Sequence, residues 1–339
     1  MAARPQVVNV DCNFTYDLER SRIEAAGGEL VLRSARTEDA IIAACADAAI
    51  ILLEFHDSPL TDRVISALPA CRAIIRYGVG IESVDQASAT RHGVVVANAA
   101  DFCTEEVSDH TAALLLASVR RIAALDRWVQ AGKWGGVKPV PPIRRARNHT
   151  LGLVGWGRIA RAVARKMLGF QMRILVADPY VRSILPDAQV ELVSMETLLR
   201  ESDLISVHVP FTPETKHLIG ADAIRAMKPS AFVVNTSRGG VIDQAALTVA
   251  LQEKRLGGAA LDVFEEEPLP AGSPLRGMEN VILTPHYAAA SQDAMAHLHR
   301  TMADSVEAVL RGFWPPFPMN PAVKPRLPLR PWSEFSAGA

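Results

Sequence analysis

The sequence contains few cysteines and no excess of charge of either sign. Its cysteines lie 26 to 33 residues apart, at Cys12, Cys45, Cys71 and Cys103. No Cys-x-x-Cys pair is present, so we expect free thiols in a reducing compartment and no metal site. The 36 basic and 37 acidic residues nearly cancel, which argues against a nucleic-acid partner.

Long hydrophobic runs are also missing. The apolar run over residues 41–53 is interrupted by Asp47 and is too short to span a bilayer. Residues 1–6 lead directly into a strand-like run at residues 7–10, without the hydrophobic region of a signal peptide. We therefore expect a cytoplasmic protein with no membrane partner.

The apolar residues that are present form short β-branched runs that alternate with helical patterns. This alternation indicates βαβ units, and therefore an α/β fold built on doubly wound parallel sheets. A chain of 339 residues suits two compact domains. Strands are predicted at residues 7–10, 49–53, 73–75, 94–97, 151–154, 173–177, 204–207, 231–235, 258–261 and 281–284.

Two features divide this series of strands. A long helical pattern covers residues 104–131, and the following residues, 132–143, are rich in glycine and proline and cannot continue a helix. The last helical pattern, at residues 292–311, follows the final strand. We therefore predict one domain at residues 1–98 and 290–339, with a second domain at residues 99–289 inserted into it.

The inserted domain begins with a glycine-rich turn. The segment Gly155-Trp-Gly-Arg-Ile-Ala160 has the G-x-G-x-x-A pattern of a dinucleotide-binding loop, and it lies between a predicted strand and a helical pattern. Gly155 permits the tight turn, and Gly157 lets the backbone approach a pyrophosphate. The amides of Arg158 and Ile159 would then face that anion at the start of the helix.

An acidic residue follows the next predicted strand. Asp178 lies 23 residues after Gly155, where a carboxylate accepts hydrogen bonds from the ribose hydroxyls and repels a 2′-phosphate. The sequence therefore favours NAD over NADP as the cofactor. The neighbouring Arg182 would offset part of this repulsion.

Three polar residues follow three successive predicted strands. Arg238, Glu267 and His286 each lie in a loop after an apolar strand, and such loops meet at one edge of a parallel sheet. Taken singly, each residue suits an ordinary turn or surface role; together, beside a dinucleotide site, they predict a catalytic centre. An arginine can bind a carboxylate and polarise a carbonyl, a histidine can transfer a proton, and a neighbouring carboxylate favours the imidazolium.

The chain at this point resembles the D-isomer-specific 2-hydroxyacid dehydrogenases over nearly its whole length. The matching segments are residues 76–85, 151–159, 235–243, 259–264, 267–268 and 284–286. The resemblance implies a Rossmann NAD-binding domain inserted into a flavodoxin-like substrate domain. It also implies that the chain interconverts a small D-2-hydroxy acid and its 2-oxo acid, with Arg238 binding the substrate, His286 as general acid and base, and Glu267 tuning His286.

Further residues follow from the resemblance alone. Among the three consecutive glutamates, Glu267 is chosen because the carboxylate of the family directly precedes a proline. Asp262 should hold the nicotinamide carboxamide, and the backbone of Val79 and Gly80 should bind the substrate carboxylate. A homodimer should form through residues 104–149, and the residues expected to line the cofactor are Val209, Pro210, Thr215 and Thr236.

The loop after the second predicted strand indicates the branch of the family. It is similar to the branch that contains the C-terminal-binding proteins and phosphoglycerate dehydrogenases, and His56 in it is a candidate substrate contact. Phe55 stands where phosphoglycerate dehydrogenases often carry an arginine, which argues against a phosphorylated substrate. An NAD(H)-responsive, corepressor-like interaction protein with weak activity is the alternative, and the intact Arg238–Glu267–His286 set favours the enzyme.

Overall fold

The chain folds into two units. The computed structural model describes residues 4–54, 58–134, 141–184 and 189–336. One unit comprises residues 1–102 and 291–339, and the other comprises residues 103–290. Each unit is built around its own parallel sheet.

The first unit has a five-stranded sheet in the order β2-β1-β3-β4-β5, which is the strand order of flavodoxin. All four strand pairs are parallel. The strands are β1 (Gln6–Asn9), β2 (Glu29–Leu32), β3 (Ala48–Leu53), β4 (Ala73–Arg76) and β5 (Val95–Ala97), and the helices between them are α1 (Asp17–Ala25), α2 (Glu38–Ala44), α3 (Asp62–Ser66) and α4 (Gln86–Arg91).

Apolar layers cover both faces of this sheet. Every residue of β3 is buried, and alternate side chains enter different clusters, with Ile51 and Leu53 in one and Ile50 and Leu52 in the other. A strand buried on both faces reads as a continuous apolar run rather than an alternating one. The central strands were therefore recognisable from the sequence.

The second unit has a seven-stranded sheet in the order β12-β11-β10-β9-β6-β7-β8. Read from β8, this is the 3-2-1-4-5-6 order of the Rossmann fold with one further strand. The strands are β6 (Thr150–Val154), β7 (Arg173–Ala177), β8 (Val190–Leu192), β9 (Leu204–Val207), β10 (Phe232–Asn235), β11 (Gly258–Leu261) and β12 (Val281–Leu283). The helices are α5 (Thr104–Arg120), α6 (Ile122–Gln130), α7 (Arg158–Leu168), α8 (Met195–Glu201), α9 (Ala221–Ala226) and α10 (Gln244–Gln252).

The chain then returns to the first unit through α11 (Gln292–Leu310). Ser291 caps this helix, because its hydroxyl accepts a hydrogen bond from the Ala294 amide. The apolar face of α11 contributes Leu298, Met302 and Val306 to one of the two cores of the first sheet. The C-terminal segment therefore completes the hydrophobic layer that β1 to β5 cannot cover alone.

The structure differs from the sequence-based prediction at three places. Two strands, β2 and β8, had not been predicted; both lie at sheet edges and are only partly buried. The predicted helix over residues 104–131 is two helices, because Arg121 adopts a left-handed conformation with φ of 58°. Its guanidinium donates to the Gly257 carbonyl at 3.1 Å and lies 4.2 Å from the centre of the Phe232 ring.

Several expected absences concern only the part of the chain that the structure describes. There, no helix is both long and apolar enough to cross a membrane, and no cluster of histidine, cysteine or carboxylate side chains suits a metal ion. The four cysteines are free thiols, and three of them are buried. The cytoplasmic location stays a prediction.

Candidate active site

The glycine-rich turn joins the first strand of the second unit to α7. Gly155 has a φ of +94°, and a Cβ at this position would lie 2.8 Å from the His208 carbonyl oxygen. Its amide donates to the Ala177 carbonyl at 2.9 Å. A side chain is thus excluded at Gly155 by both its conformation and the approach of the neighbouring strand.

Gly157 differs from Gly155 in a way that points to a ligand. Its φ is −74°, which any residue adopts, and a Cβ there would have nothing within 4 Å. The protein itself therefore does not require glycine at this position. The open space lies at the amino end of α7, beside the amides of Arg158 and Ile159, where a pyrophosphate would be bound by the first turn of the helix.

Asp178 directly follows β7 and faces the same turn. Its Oδ2 accepts a hydrogen bond from the Trp156 amide at 2.8 Å, and its Oδ1 accepts one from the Tyr180 amide at 2.9 Å. A carboxylate has about four acceptor positions, so two remain for the hydroxyls of a ribose. The partly buried carboxylate is therefore fixed in place and still able to bind a dinucleotide.

The loop after β9 contains three of the residues expected near the cofactor, Val209, Pro210 and Thr215. The Thr215 hydroxyl donates to the Pro210 carbonyl at 2.6 Å, and it accepts from the Thr212 amide at 2.8 Å. These bonds close the loop into a compact turn at the edge where β6 ends. Contact of these residues with the cofactor stays a prediction.

The loop that carries Arg238 is shaped by Asn235 at the end of β10. The Asn235 carboxamide accepts from the Ser237 amide and donates to the Arg238 carbonyl at 2.9 Å. The Arg238 guanidinium donates to the Ser237 carbonyl at 2.8 Å and is partly exposed. A Cβ at Gly239 would lie 1.9 Å from the Phe264 carbonyl, so this loop packs directly on the loop after β11.

Glu267 and His286 form a hydrogen-bonded pair. His286 Nδ1 lies 2.7 Å from Glu267 Oε2, and Glu267 Oε1 accepts from the Phe264 amide at 2.8 Å. Because a carboxylate can only accept, Nδ1 is the donor in this hydrogen bond. The His286 side chain is 39% exposed.

The pKa of Glu267 is shifted by opposing effects. Burial alone would raise it, but hydrogen bonds from His286 and the Phe264 amide, together with the charges of His286 and Arg238, lower the pKa below its ordinary value. Glu267 is thus ionised at neutral pH. Arg238 thus acts electrostatically on the carboxyl that is bonded to His286.

Glu265, another glutamate of the acidic run, has a different partner. Glu265 pairs with His217 at 2.7 Å and accepts from the Gln244 amide at 3.3 Å. The choice of Glu267 as the partner of His286 rested on the family resemblance alone, and the structure brings these two residues together.

Asp262 is almost completely buried and organises the loop that carries His286. Its Oδ1 accepts from the Thr284 hydroxyl at 2.5 Å and from the Tyr287 amide at 2.9 Å, and its Oδ2 accepts from the Ala288 amide at 3.0 Å. One acceptor position on Oδ2 remains, which fits a carboxamide N–H. Contact between Asp262 and the nicotinamide stays a prediction.

Helix α5 contributes residues that the sequence analysis missed. Thr111 bonds the predicted cofactor residue Thr236 through their hydroxyls at 2.8 Å, and His110 Nε2 lies 3.0 Å from the Thr284 hydroxyl. Both residues were interpreted only as part of a helical pattern. Two adjacent polar residues just before the apolar positions of an amphipathic helix were the available signal.

The remaining predicted substrate residues belong to the first unit. The Val79 carbonyl accepts from the Asn98 side chain at 2.6 Å, and Gly80 follows directly in the same loop. Their predicted binding of a substrate carboxylate stays a prediction. His56 and Phe55 lie outside the described residues.

Comparison with known proteins identifies the family. Residues 112–288 match the model of the D-isomer-specific 2-hydroxyacid dehydrogenase NAD-binding domain. A glyoxylate reductase of Korarchaeum cryptofilum is 43% identical over 80% of this chain and 83% of its own length. The chain belongs to the D-isomer-specific 2-hydroxyacid dehydrogenases.

Two further relatives of this dehydrogenase extend the comparison. A D-3-phosphoglycerate dehydrogenase of Methanocaldococcus jannaschii is 36% identical over 84% of this chain but only 54% of its own length. The crystal structure of an Aquifex aeolicus D-lactate dehydrogenase with NAD and lactic acid has a TM-score of 0.81 and 27% identity, covering 91% of this chain and 96% of that one. The predicted family and fold are confirmed.

The family membership establishes the reaction class. The protein is an NAD-dependent oxidoreductase that interconverts 2-hydroxy acids and 2-oxo acids. The prediction of an enzyme with an NAD cofactor is confirmed, and Gly157 and Asp178 fit that cofactor by their geometry.

Selectivity between the two nicotinamide cofactors tests the role of Asp178. We expect NADH to bind more tightly than NADPH, because the fixed carboxylate repels a 2′-phosphate, and Asp178→Ala should narrow the difference. Dissociation constants from NAD(P)H fluorescence measure it. Arg182→Ala serves as a matched control and should widen the difference between the affinities for NADH and NADPH, because Arg182 offsets part of the repulsion. Equal constants in the wild-type protein would contradict this assignment.

Proposed function

We propose that this dehydrogenase reduces glyoxylate and other small, unphosphorylated 2-oxo acids to 2-hydroxy acids with NADH. The observation that carries the proposal is the His286–Glu267 pair, in which Nδ1 bonds the carboxylate while the Arg238 charge acts on the same carboxyl. The named activity of the Korarchaeum relative supports glyoxylate as a substrate. In the reductive direction, the substrate would be an acid that carries a carbonyl group next to its carboxylate.

Arg238 suits the recognition of that carbonyl and carboxylate. Its guanidinium is planar and permanently charged, so it can bind a substrate carboxylate and polarise the adjacent carbonyl oxygen. The Asn235 bonds hold the backbone of this loop, and Gly239 keeps the loop against Phe264. The backbone from which the Arg238 side chain extends is therefore fixed, while the side chain itself remains partly exposed.

His286 suits the transfer of the hydroxyl proton. When bound, NADH would supply the hydride that the carbonyl carbon receives in the reductive direction. The His286 imidazolium donates its Nε2 proton to the carbonyl oxygen, which becomes the hydroxyl of the product, and the neutral imidazole is left behind. Glu267 stabilises the imidazolium through Nδ1 and keeps that nitrogen protonated throughout, so that Nε2 alone exchanges the proton.

Phosphorylated substrates and an interaction role have weaker support. Phe55 stands where phosphoglycerate dehydrogenases often carry an arginine, which argues against a phosphorylated substrate. The relatives reported above are named as reductases and dehydrogenases, so the corepressor-like alternative has no support among them. We therefore propose a metabolic enzyme.

A homodimer is part of the proposal. Helix α6 buries none of its residues, and Ile122 and Val129, two turns apart on one face, are 54% and 49% exposed. An apolar helix face of this kind suits contact with a second copy. The single chain has a mass of 36.6 kDa, so we expect about twice this mass in analytical ultracentrifugation. A single-chain mass at micromolar concentration would contradict the dimer.

The reaction itself is tested by oxidation of NADH in the presence of a panel of 2-oxo acids. We expect turnover with glyoxylate, and we expect His286→Ala to lose it by about a hundredfold to ten-thousandfold, the usual effect of removing a positioned general acid. NADH binding should survive, as fluorescence titration will show. His149→Ala, a histidine that precedes β6 at the opposite edge of the sheet, is the control. Near-normal turnover by His286→Ala would mean that another group supplies the proton.

The pH dependence of reduction tests the role of Glu267. The lowered pKa of Glu267 means that its carboxylate is charged from mildly acidic pH upward, and this charge stabilises the imidazolium that reduction requires. Glu267→Gln keeps a hydrogen-bond acceptor but removes the charge, so the falling limb of the reductive rate should move to lower pH. Rates measured between pH 5 and pH 10, under conditions where chemistry is rate-limiting, show this limb.

Glu265→Gln is the matched control for that experiment, because Glu265 pairs with His217 instead. Its falling limb should stay where the wild-type protein has it. If the falling limb shifted in Glu265→Gln but not in Glu267→Gln, Glu265 rather than Glu267 would supply the charge, and the proposed role of Glu267 would be wrong.

A further inference from the structure

His110 lies on α5 and reaches the loop that carries His286. Its Nε2 is 3.0 Å from the Thr284 hydroxyl oxygen and 3.6 Å from Asp262 Oδ1. The Thr284 hydroxyl is in turn 2.5 Å from Asp262 Oδ1. The three side chains form a chain of polar contacts that starts on a helix and ends on a carboxylate 1% exposed.

The direction of each hydrogen bond in this chain is determined by chemistry. The Asp262 carboxylate can only accept, so the Thr284 hydroxyl donates its single hydrogen to Oδ1. The hydroxyl oxygen must then accept from His110, so His110 carries a hydrogen on Nε2. This holds for the neutral imidazole and for the imidazolium alike. His110 therefore acts as a donor at the start of the chain.

The far end of the chain holds the backbone around His286. The Asp262 carboxylate accepts from the amides of Tyr287 and Ala288, and the Asp262 carbonyl accepts from the His286 amide at 2.7 Å. His286 has a φ of 54°, a conformation that non-glycine residues adopt only where their surroundings impose it. Loss of a contact that fixes Asp262 would thus change the orientation of the His286 ring.

We propose that His110 is a positioning residue for the dehydrogenase reaction, acting through Thr284 and Asp262 on the backbone that carries His286. This proposal rests on the proposed function, in which His286 Nε2 transfers the proton. His110 does not touch the reacting atoms in the proposed mechanism. Its removal should lower kcat more than it changes KM for the 2-oxo acid, because it misaligns the proton donor and leaves Arg238 in place.

The first experiment compares two variants of His110. His110→Leu removes the donor, and we expect kcat for glyoxylate to fall by about tenfold to a hundredfold, the effect of a small misplacement of a catalytic group. In His110→Gln, a side-chain amide can replace Nε2–H, and most of kcat should return. His92→Leu, which changes a histidine of the first unit that pairs with Asp62, should retain the wild-type kcat. Thermal unfolding of each variant shows whether the fold is intact.

The second experiment tests the route through Thr284. Thr284→Val removes the hydroxyl and should resemble His110→Leu, whereas Thr284→Ser should retain activity. The double variant His110→Leu/Thr284→Val should be no slower than the slower single variant, because both changes break the same chain. A wild-type kcat in His110→Leu, or losses that multiply in the double variant, would overturn the proposal.

A measurement that does not use activity separates this proposal from the proposed function. Imidazole nitrogen NMR should show His110 with its hydrogen on Nε2, and the His286 ring signals should shift in His110→Leu. A His110 hydrogen found only on Nδ1, or unmoved His286 signals, would overturn the positioning role. If the wild-type protein reduced no 2-oxo acid, the proposed function would fail, and these spectra would still decide whether His110 fixes His286.

Discussion

The parallel direction of the strands in the second unit is the constraint on which the proposed catalytic centre depends. Arg238, Glu267 and His286 follow β10, β11 and β12, which pair side by side in parallel. Loops after parallel strands leave the sheet at the same edge. Reversal of any one strand would move its catalytic residue by the length of the strand, about 13 Å for four residues, and no proton transfer could span that distance.

Close backbone packing then sets the distances within this edge. Gly239 lies against the Phe264 carbonyl so tightly that a Cβ has no room, and the Phe264 amide bonds Glu267. The loops that carry Arg238 and Glu267 therefore share a contact at Phe264. The charge of Arg238 contributes to the lowered pKa of Glu267, and the ionised Glu267 in turn fixes the hydrogen on His286 Nδ1. Backbone packing and electrostatics thus both favour this arrangement of Arg238, Glu267 and His286.

The cofactor features lie at the same edge for the same reason. Gly155 and Gly157 follow β6, Asp178 follows β7, and Thr215 belongs to the loop after β9. Asp178 is bonded to the Trp156 amide within the glycine-rich turn, so the ribose and pyrophosphate ends of the site are fixed to each other. The order of strands changes direction between β6 and β9, which is where open α/β sheets bind their ligands.

The sequence by itself determined the α/β class and the central strands, and it predicted the catalytic and dinucleotide-binding residues. These features are local: buried strands are continuous apolar runs, and the glycine-rich turn is a contiguous motif. The edge strands β2 and β8 escaped prediction because partly buried strands carry little apolar signal. Only the tertiary structure decided that α5 ends at Arg121, since the guanidinium contacts that hold it involve Gly257 and Phe232, far along the chain. The partners of Glu265 and His110 were likewise decided by tertiary structure, because hydrogen bonds between distant loops depend on how the strands bring those loops together.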